Sequence, residues 1–310
     1  MQIGTRRPQL LPLRRGALLA VDAVGRRRWV PVGMALPCIV LILLLTIFPL
    51  LYSLGVSFFR WEVQIPGHPF VGLVNYAELI HDATFWGSLQ ATAIIAGCAV
   101  LAELVLGMAL ALALAGKVRG KALVVPLLIL PLTMMPIVVG ETWRILWDPS
   151  YGPVDQILSV LSGRHVGLVW LSDPHLVFPA IIITDVWQWT PFVFLILLAG
   201  LSAINAELYE AAAMDGASAW KKLVYVTLPL LRPILLLAIL FRLIDAIKIF
   251  DIVYALTQGG PGTETLTASY FVYQAGQQFF RYSYAAAASY VLLFFVTIIA
   301  LVLIRRIRET

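Results

Sequence analysis

EAAAMDGASAWKKLVYVTLPLLRP, residues 210–233, separates two long apolar stretches of a 310-residue chain. It sets three alanines behind Glu210, breaks at Asp215-Gly216, resumes with apolar residues three or four apart and closes on Leu228-Pro229. A mere connection needs far less internal order. What flanks the stretch decides how it is read.

Aliphatic, aromatic and sulfur side chains make up 61% of the residues and charged ones 13%, against roughly 45–50% and 25% in soluble domains. A soluble fold of this length cannot hide that much apolar surface. The bilayer is therefore the solvent, and helices are the structure that satisfies the backbone in it. Apolar runs of spanning length predict six transmembrane helices, near Val30–Val56, Ser88–Ala115, Leu123–Ile145, Leu176–Gly200, Ile234–Leu256 and Tyr284–Ile304. Pro126, Pro131 and Pro136 interrupt the third, a break that neighbouring helices can accommodate.

Six spans put both termini on one side. Sixteen of the 22 Lys and Arg residues fall in the N-terminal segment 1–28, the 116–121 loop, the 201–233 loop and the C-terminal tail. Only Arg60, Arg144, Arg164 and Arg281 fall opposite. The positive-inside rule makes the first side cytoplasmic. The expected organisation is a basic cytoplasmic segment 1–28, a six-helix transmembrane domain 29–305 containing the loop 201–233, and a cytoplasmic tail 306–310.

The formal charge of +5 is then explained by anionic lipid of the inner leaflet, without nucleic acid. The first apolar run is too long for a signal-peptide core and lacks a small-residue cleavage site, so it reads as a retained span. Cys38 and Cys98 lie within spans and read as packing residues, without the companions a disulfide framework or a metal site needs. No phosphate loop, nucleophile elbow or paired-histidine zinc motif occurs. His68, His81, His165 and His175 sit on or beside outward-facing segments as ordinary surface residues. Enzymatic activity is not expected, so the energy for any work lies elsewhere.

The opening stretch itself predicts two short helices. Asn205 is placed to cap the first, with Glu207 and Glu210 in its first turns. Ala211, Ala212 and Ala213 favour the helix with almost no side-chain bulk, so another surface can approach its backbone closely. Asp215-Gly216 ends it, glycine being suited to a left-handed conformation. A second helix from Ala217 carries Trp220, Leu223, Val224 and Thr227 on one face until Pro229 stops it. These residues fit a protein-docking surface and a helix pair lying on the inner leaflet equally well, Lys221 and Lys222 suiting the second.

The stretch closely resembles the cytoplasmic EAA loop of permease subunits in bacterial ABC importers. Glu210, Ala211, Ala212, Gly216, Val226, Leu228 and Pro229 fall in that register, while Leu223 and Val226 replace a common Phe and Ile. The resemblance covers nearly the whole chain beyond residue 28 and narrows to sugar-type permeases. ILPLTMMPIVVGETWRILWDPSYGPVDQIL, residues 129–158, is similar to their third span and the outward segment after it, with Asp155 where asparagine is common. IKIFDIVYALTQGGPGTET, residues 247–265, resembles the exit of their fifth span. YSYAAAASYVLLF, residues 282–294, resembles the start of their sixth, with Ser283 for a common glycine.

What the resemblance implies is an all-α integral membrane protein of the type I ABC importer permease fold, in the bacterial inner membrane. Its partners would be a second homologous permease, two ATP-binding subunits and an extracytoplasmic sugar-binding lipoprotein. This chain would hold no cofactor, ATP and magnesium residing in the ATPase. The loop would seat in a cleft of that ATPase. Glu210 would be its polar contact, Ala211 and Ala212 its close-approach surface, Asp215 and Gly216 its break, and Leu228 and Pro229 its close.

The substrate path is sought where charges enter the spans, because such groups are costly in lipid and face a cavity or a partner. They are Glu103, Glu141, Asp185, Arg242, Asp245, Lys248 and Asp251. The last four recur every three residues, so pairing along their own helix competes with a role in the path. In TDVWQWTPF, residues 184–192, Asp185, Gln188, Trp189 and Phe192 share a helical stripe. A carboxylate, an amide and aromatic faces suit the hydroxyls and C–H face of a neutral sugar. An interfacial aromatic belt with a capping aspartate is the competing explanation. The resemblance adds Asp245, Ala246 and Ile249 as contact positions on the fifth span, with the last two apolar here and the companion permease left to supply polarity.

The leading expectation is import of a neutral disaccharide, the chain being most similar to permeases of the actinobacterial trehalose importer. Maltose-like oligosaccharides and glycerol phosphate stand behind it. An ion-coupled secondary transporter is the rival class, but no internal repeat links residues 29–145 to 176–304. A membrane scaffold without a transport path is the other rival, and the polar stripe around Asp185 weighs against it.

Overall fold

The computed structural model describes residues 30–64, 66–116 and 118–308. The arginines expected in segment 1–28 and the last two residues of the tail lie outside them. Residues up to Gly55 and residues from Val56 form separate compact units. The first is an apolar helix, α1, running over Val30–Ile42, a π-turn at Leu43–Ile47 and Phe48–Val56.

In the second unit, α2 (Val74–His81) leads to α3 (Ala83–Leu114). Asp82 separates them by capping α3, accepting from the Thr84 and Phe85 amides at 2.8 and 3.2 Å. Its other carboxylate oxygen accepts from the Tyr284 hydroxyl at 2.6 Å. The buried residues Ala91, Ile95, Ala99, Glu103, Gly107 and Ala111 recur every fourth position along α3. Small side chains in such a stripe let helices approach closely within a membrane, and this face packs chiefly on α7.

The third span is broken. α4 (Lys121–Ile129), a 3-10 turn at Leu130–Thr133 and α5 (Pro136–Leu146) make a pair bent by 97°. Met134 and Met135 adopt extended backbone between them, as residues preceding or flanking proline favour. α6 (Pro153–Ser162) lies in the following segment. There the buried Asp155 accepts from the Leu168 amide at 2.8 Å and the Trp170 indole at 2.7 Å.

α7 (Val177–Ala203) is the most buried span. After it come α8 (Ala206–Met214) and α9, a single helix over Ala219–Ile247 that includes a π-turn at Leu223–Thr227. α10 (Asp251–Leu256), α11 (Ala268–Tyr273) and α12 (Tyr282–Arg308) complete the chain. Among the described residues, five helices are long and apolar enough to cross a membrane, and the bent pair supplies a candidate sixth crossing.

Three expectations need correction. The helix expected to stop at Pro229 continues, because the π-turn ahead of it opens the carbonyl ladder that proline would otherwise crowd. The fifth span, expected over Ile234–Leu256, starts fifteen residues earlier and ends at Ile247. The chain then breaks at Lys248–Phe250, where the Thr267 hydroxyl donates to the freed Ile249 carbonyl at 3.0 Å. Cys38 on α1 and Cys98 on α3 are both exposed rather than packed against other helices.

Candidate functional site

Arg242 lies on α9, one and a half turns before its end, with only 1% of its side chain exposed. A buried guanidinium requires counter-charges, and three helices supply them. Its Nε donates to Glu103 Oε2 at 2.6 Å and its Nη2 to Glu103 Oε1 at 2.9 Å, a bidentate pair reaching α3. Nη2 also donates to Asp185 on α7. Nη1 donates to Asp245, one turn along α9, at 3.3 Å. The guanidinium carbon stands 5.1 Å from the centre of the Trp189 ring, within cation–π range.

This cluster floors a pocket of about 80 Å³. Asp185 and Trp189 line it from α7, Asp245 and Ala246 from α9, Lys248 and Ile249 from the break, Asp251 from α10 and Pro136 from the kink of the third span. The break of the fifth span exists where the pocket is. It brings Lys248, Ile249 and Phe250 to the cavity, and irregular backbone is tolerated at membrane depth where it is buried in protein or lines a cavity.

Five of the seven residues singled out for substrate contact meet here: Asp185, Trp189, Asp245, Ala246 and Ile249. Asp245 has 49% of its side chain exposed and offers an accessible acceptor. Asp185 is buried and accepts from Arg242. Gln188 and Phe192 take other places. The Gln188 amide donates to the Met134 carbonyl at 3.0 Å, meeting an acceptor released by the kink of the third span. Phe192 packs with the cluster around Val193, Phe194 and Leu197 and meets Trp189 edge-on at 6.3 Å.

Arg242 and Asp245 do pair along their own helix, but the stronger partners are on α3 and α7. Sequence reasoning missed the link to Glu103, 139 positions away. The available signal was that a lone arginine in a span needs counter-charge from other spans. Lys248 is exposed and, among the described residues, has no carboxylate within ion-pair distance.

The other candidate surface is the 201–233 loop. Asn205 caps α8 by accepting from the Glu207 amide at 3.1 Å. At the far end Gly216 has φ of +73°. The Ala217 amide donates to the Ala212 carbonyl at 2.9 Å and that of Gly216 to Ala213 at 3.0 Å, the paired bonds of a Schellman ending. Ser218 then caps α9. Glu210, Ala211 and Asp215 stand exposed and Ala212 half-buried on this turn. Leu228 and Pro229 lie within α9, on an exposed stretch. Met214, Trp220 and Tyr225 add large exposed apolar groups around it.

Residues 103–309 match the family described as "Binding-protein-dependent transport system inner membrane component". The chain is similar to the "Trehalose/maltose transport system permease protein MalF" of Thermococcus litoralis, 40% identical over 236 residues, covering 76% of this chain and 79% of that one. It is similar to the "Trehalose transport system permease protein SugA" of Mycobacterium tuberculosis, 35% identical over 232 residues, 74% of each. A solved bacterial alginate ABC transporter, in complex with its alginate pentasaccharide-bound periplasmic protein, contains a chain of the same fold. Its TM-score is 0.76 at 24% identity, over 93% of this chain and 95% of that one.

Proposed function

Because the chain belongs to the binding-protein-dependent transport system inner membrane components, we propose that it is the permease subunit of an ATP-driven sugar importer and that its cargo is a neutral disaccharide such as trehalose. The pocket at the break of the fifth span carries this reading. It offers the half-exposed Asp245 carboxylate as a hydroxyl acceptor and Trp189 as an apolar platform. Arg242, surrounded by three carboxylates, has no charge to spare for an anionic cargo. Relatives named for trehalose and maltose transport support the same class.

A pocket of about 80 Å³ is one wall of a site, since small-molecule pockets run to roughly 300–1,000 Å³. A second, homologous permease would supply the facing wall. Two ATP-binding subunits holding ATP and magnesium would seat on α8 through Glu210, Ala211, Ala212 and the Asp215-Gly216 turn. An extracytoplasmic sugar-binding protein would deliver the cargo, a reading supported by the periplasmic protein bound to the alginate transporter. Both termini and α8 would then face the cytoplasm of a bacterial inner membrane.

A glycerol phosphate cargo is the second reading, favoured by the unpaired Lys248 in the pocket wall. Proteoliposomes holding the complex purified through this chain, with its binding protein, separate the two. ATP-dependent accumulation of labelled trehalose or maltose, with no competition from glycerol phosphate, is expected. Accumulation of glycerol phosphate that is lost in Lys248→Ala would replace the disaccharide reading.

A further inference from the structure

α8 is joined to the pocket-bearing helix by one side-chain hydrogen bond among the described residues. Tyr209 stands immediately before Glu210, and its half-buried hydroxyl lies 3.0 Å from that of Thr227. Thr227 is buried and is the last residue of the π-turn in α9. Its hydroxyl donates its only proton to the Lys222 carbonyl at 3.3 Å. The oxygen is therefore left to accept from Tyr209.

The place of this bond gives it consequence. A π-turn is a locally widened, less regular part of a helix, and this one stands directly ahead of Pro229, which has no amide to donate. At its ends α8 is held only by the Ile204-Asn205 link to α7 and the Gly216 turn to α9. Further along, α7 and α9 are locked together at Gly200. An added Cβ there would lie 2.7 Å from Leu231 and 2.8 Å from Ile234. From this lock α9 continues as unbroken helix to Arg242 and Asp245.

We propose that Tyr209 is a positioning residue for energy coupling: by donating to Thr227 it holds α8 at a set angle on α9, so that displacement of α8 reaches Arg242 and the pocket instead of being absorbed at the Gly216 turn. The proposal rests on the reading of α8 as the helix that docks the ATPase.

The test uses the whole complex in proteoliposomes, with labelled trehalose uptake and ATP hydrolysis measured together. Tyr209→Phe keeps the ring and removes the donor. Trehalose moved per ATP is expected to fall roughly threefold to tenfold, the worth of a neutral hydrogen bond, while ATP hydrolysis stays near wild type. Thr227→Val is expected to match it, Thr227→Ser to restore wild-type yield, and the double variant Tyr209→Phe/Thr227→Val to be no worse than either single, because the two act as one unit. Unchanged yield per ATP in Tyr209→Phe, or losses that multiply in the double variant, overturns the proposal. Glu210→Lys serves as the separate control: if it leaves ATPase assembly and uptake intact, the docking reading itself fails, whatever Tyr209 does.

Discussion

Arg242 compresses the demands of the membrane into one side chain. Its charge is answered by Glu103 and Asp185 in the interior and by Asp245 at the pocket edge. Arg242→Met would strand two buried carboxylates, and removing one partner of a buried ionic cluster costs on the order of 3–5 kcal/mol. The purified complex should unfold at clearly lower temperature, and Arg242→Met/Glu103→Gln/Asp185→Asn should recover most of the loss. A melting curve for Arg242→Met that overlays wild type would show the cluster to be dispensable. Asp245→Asn should behave differently. Its pair is half exposed and of the class worth about 0–1 kcal/mol, so stability should hold while the KM for sugar uptake rises several-fold. At this scale the sequence exposed the right residue types but not their distribution. Spacing along one helix brought out Arg242 with Asp245, whereas the partner on α3 is a property of the assembled bundle.

Among the elements, the loop 201–233 and the break of the fifth span carry the geometry on which the proposed function rests. Gly216 holds φ of +73° and donates its amide to Ala213; proline can do neither, since its ring fixes φ near roughly −65° and removes the N–H. Gly216→Pro should leave the chain inserted but disconnect ATP hydrolysis from uptake, which paired hydrolysis and transport assays would report. Transport at wild-type yield in that variant would contradict a coupling role for the turn. Local chemistry made this loop readable in advance. Asn205, the alanine run and Asp215-Gly216 act within a few residues, and each occupies the position its type favours. Pro229 did not obey the local rule, because a π-turn upstream adjusts the helix in a way no single residue announces. The same holds for the fifth span. Hydropathy runs smoothly across Lys248, while the Thr267 hydroxyl that stabilises the break comes from α11's N-terminal flank.

For the whole molecule, the proposed function places the transport path in this chain and the source of energy in another. Uptake in proteoliposomes should need ATP inside and persist when ionophores collapse ion gradients. Purification of the tagged chain from its native membrane should bring a phosphate-loop ATPase and a second permease with it, identified by mass spectrometry. A chain that emerges alone and transports on an ion gradient would return the rival class to favour. Composition and apolar run length were enough to read an all-α membrane protein from sequence, and α3, α7 and α12 lie close to their expected ranges. The third span was legible as interrupted but not as bent by 97°, since the angle depends on what Met134 and Gln188 find to bond with.

The long sequence separations inside the Arg242 cluster also bear on how the protein is made. Synthesis runs from the N-terminus, so Glu103 and Asp185 enter the bilayer before their cation exists. Arg242 follows Glu103 by 139 positions, roughly 7–28 s at about 5–20 residues per second. Glu103 waits through the whole of that interval and Asp185 through its last 57 positions, roughly 3–11 s at the same rate, each acid costing several kcal/mol at membrane depth on an insertion scale. The arrival of α9 discharges both at once. The cluster thereby ties three helices together before α12 is made, and a ribosome product cut short between residues 185 and 242 would leave two unanswered acids in the membrane.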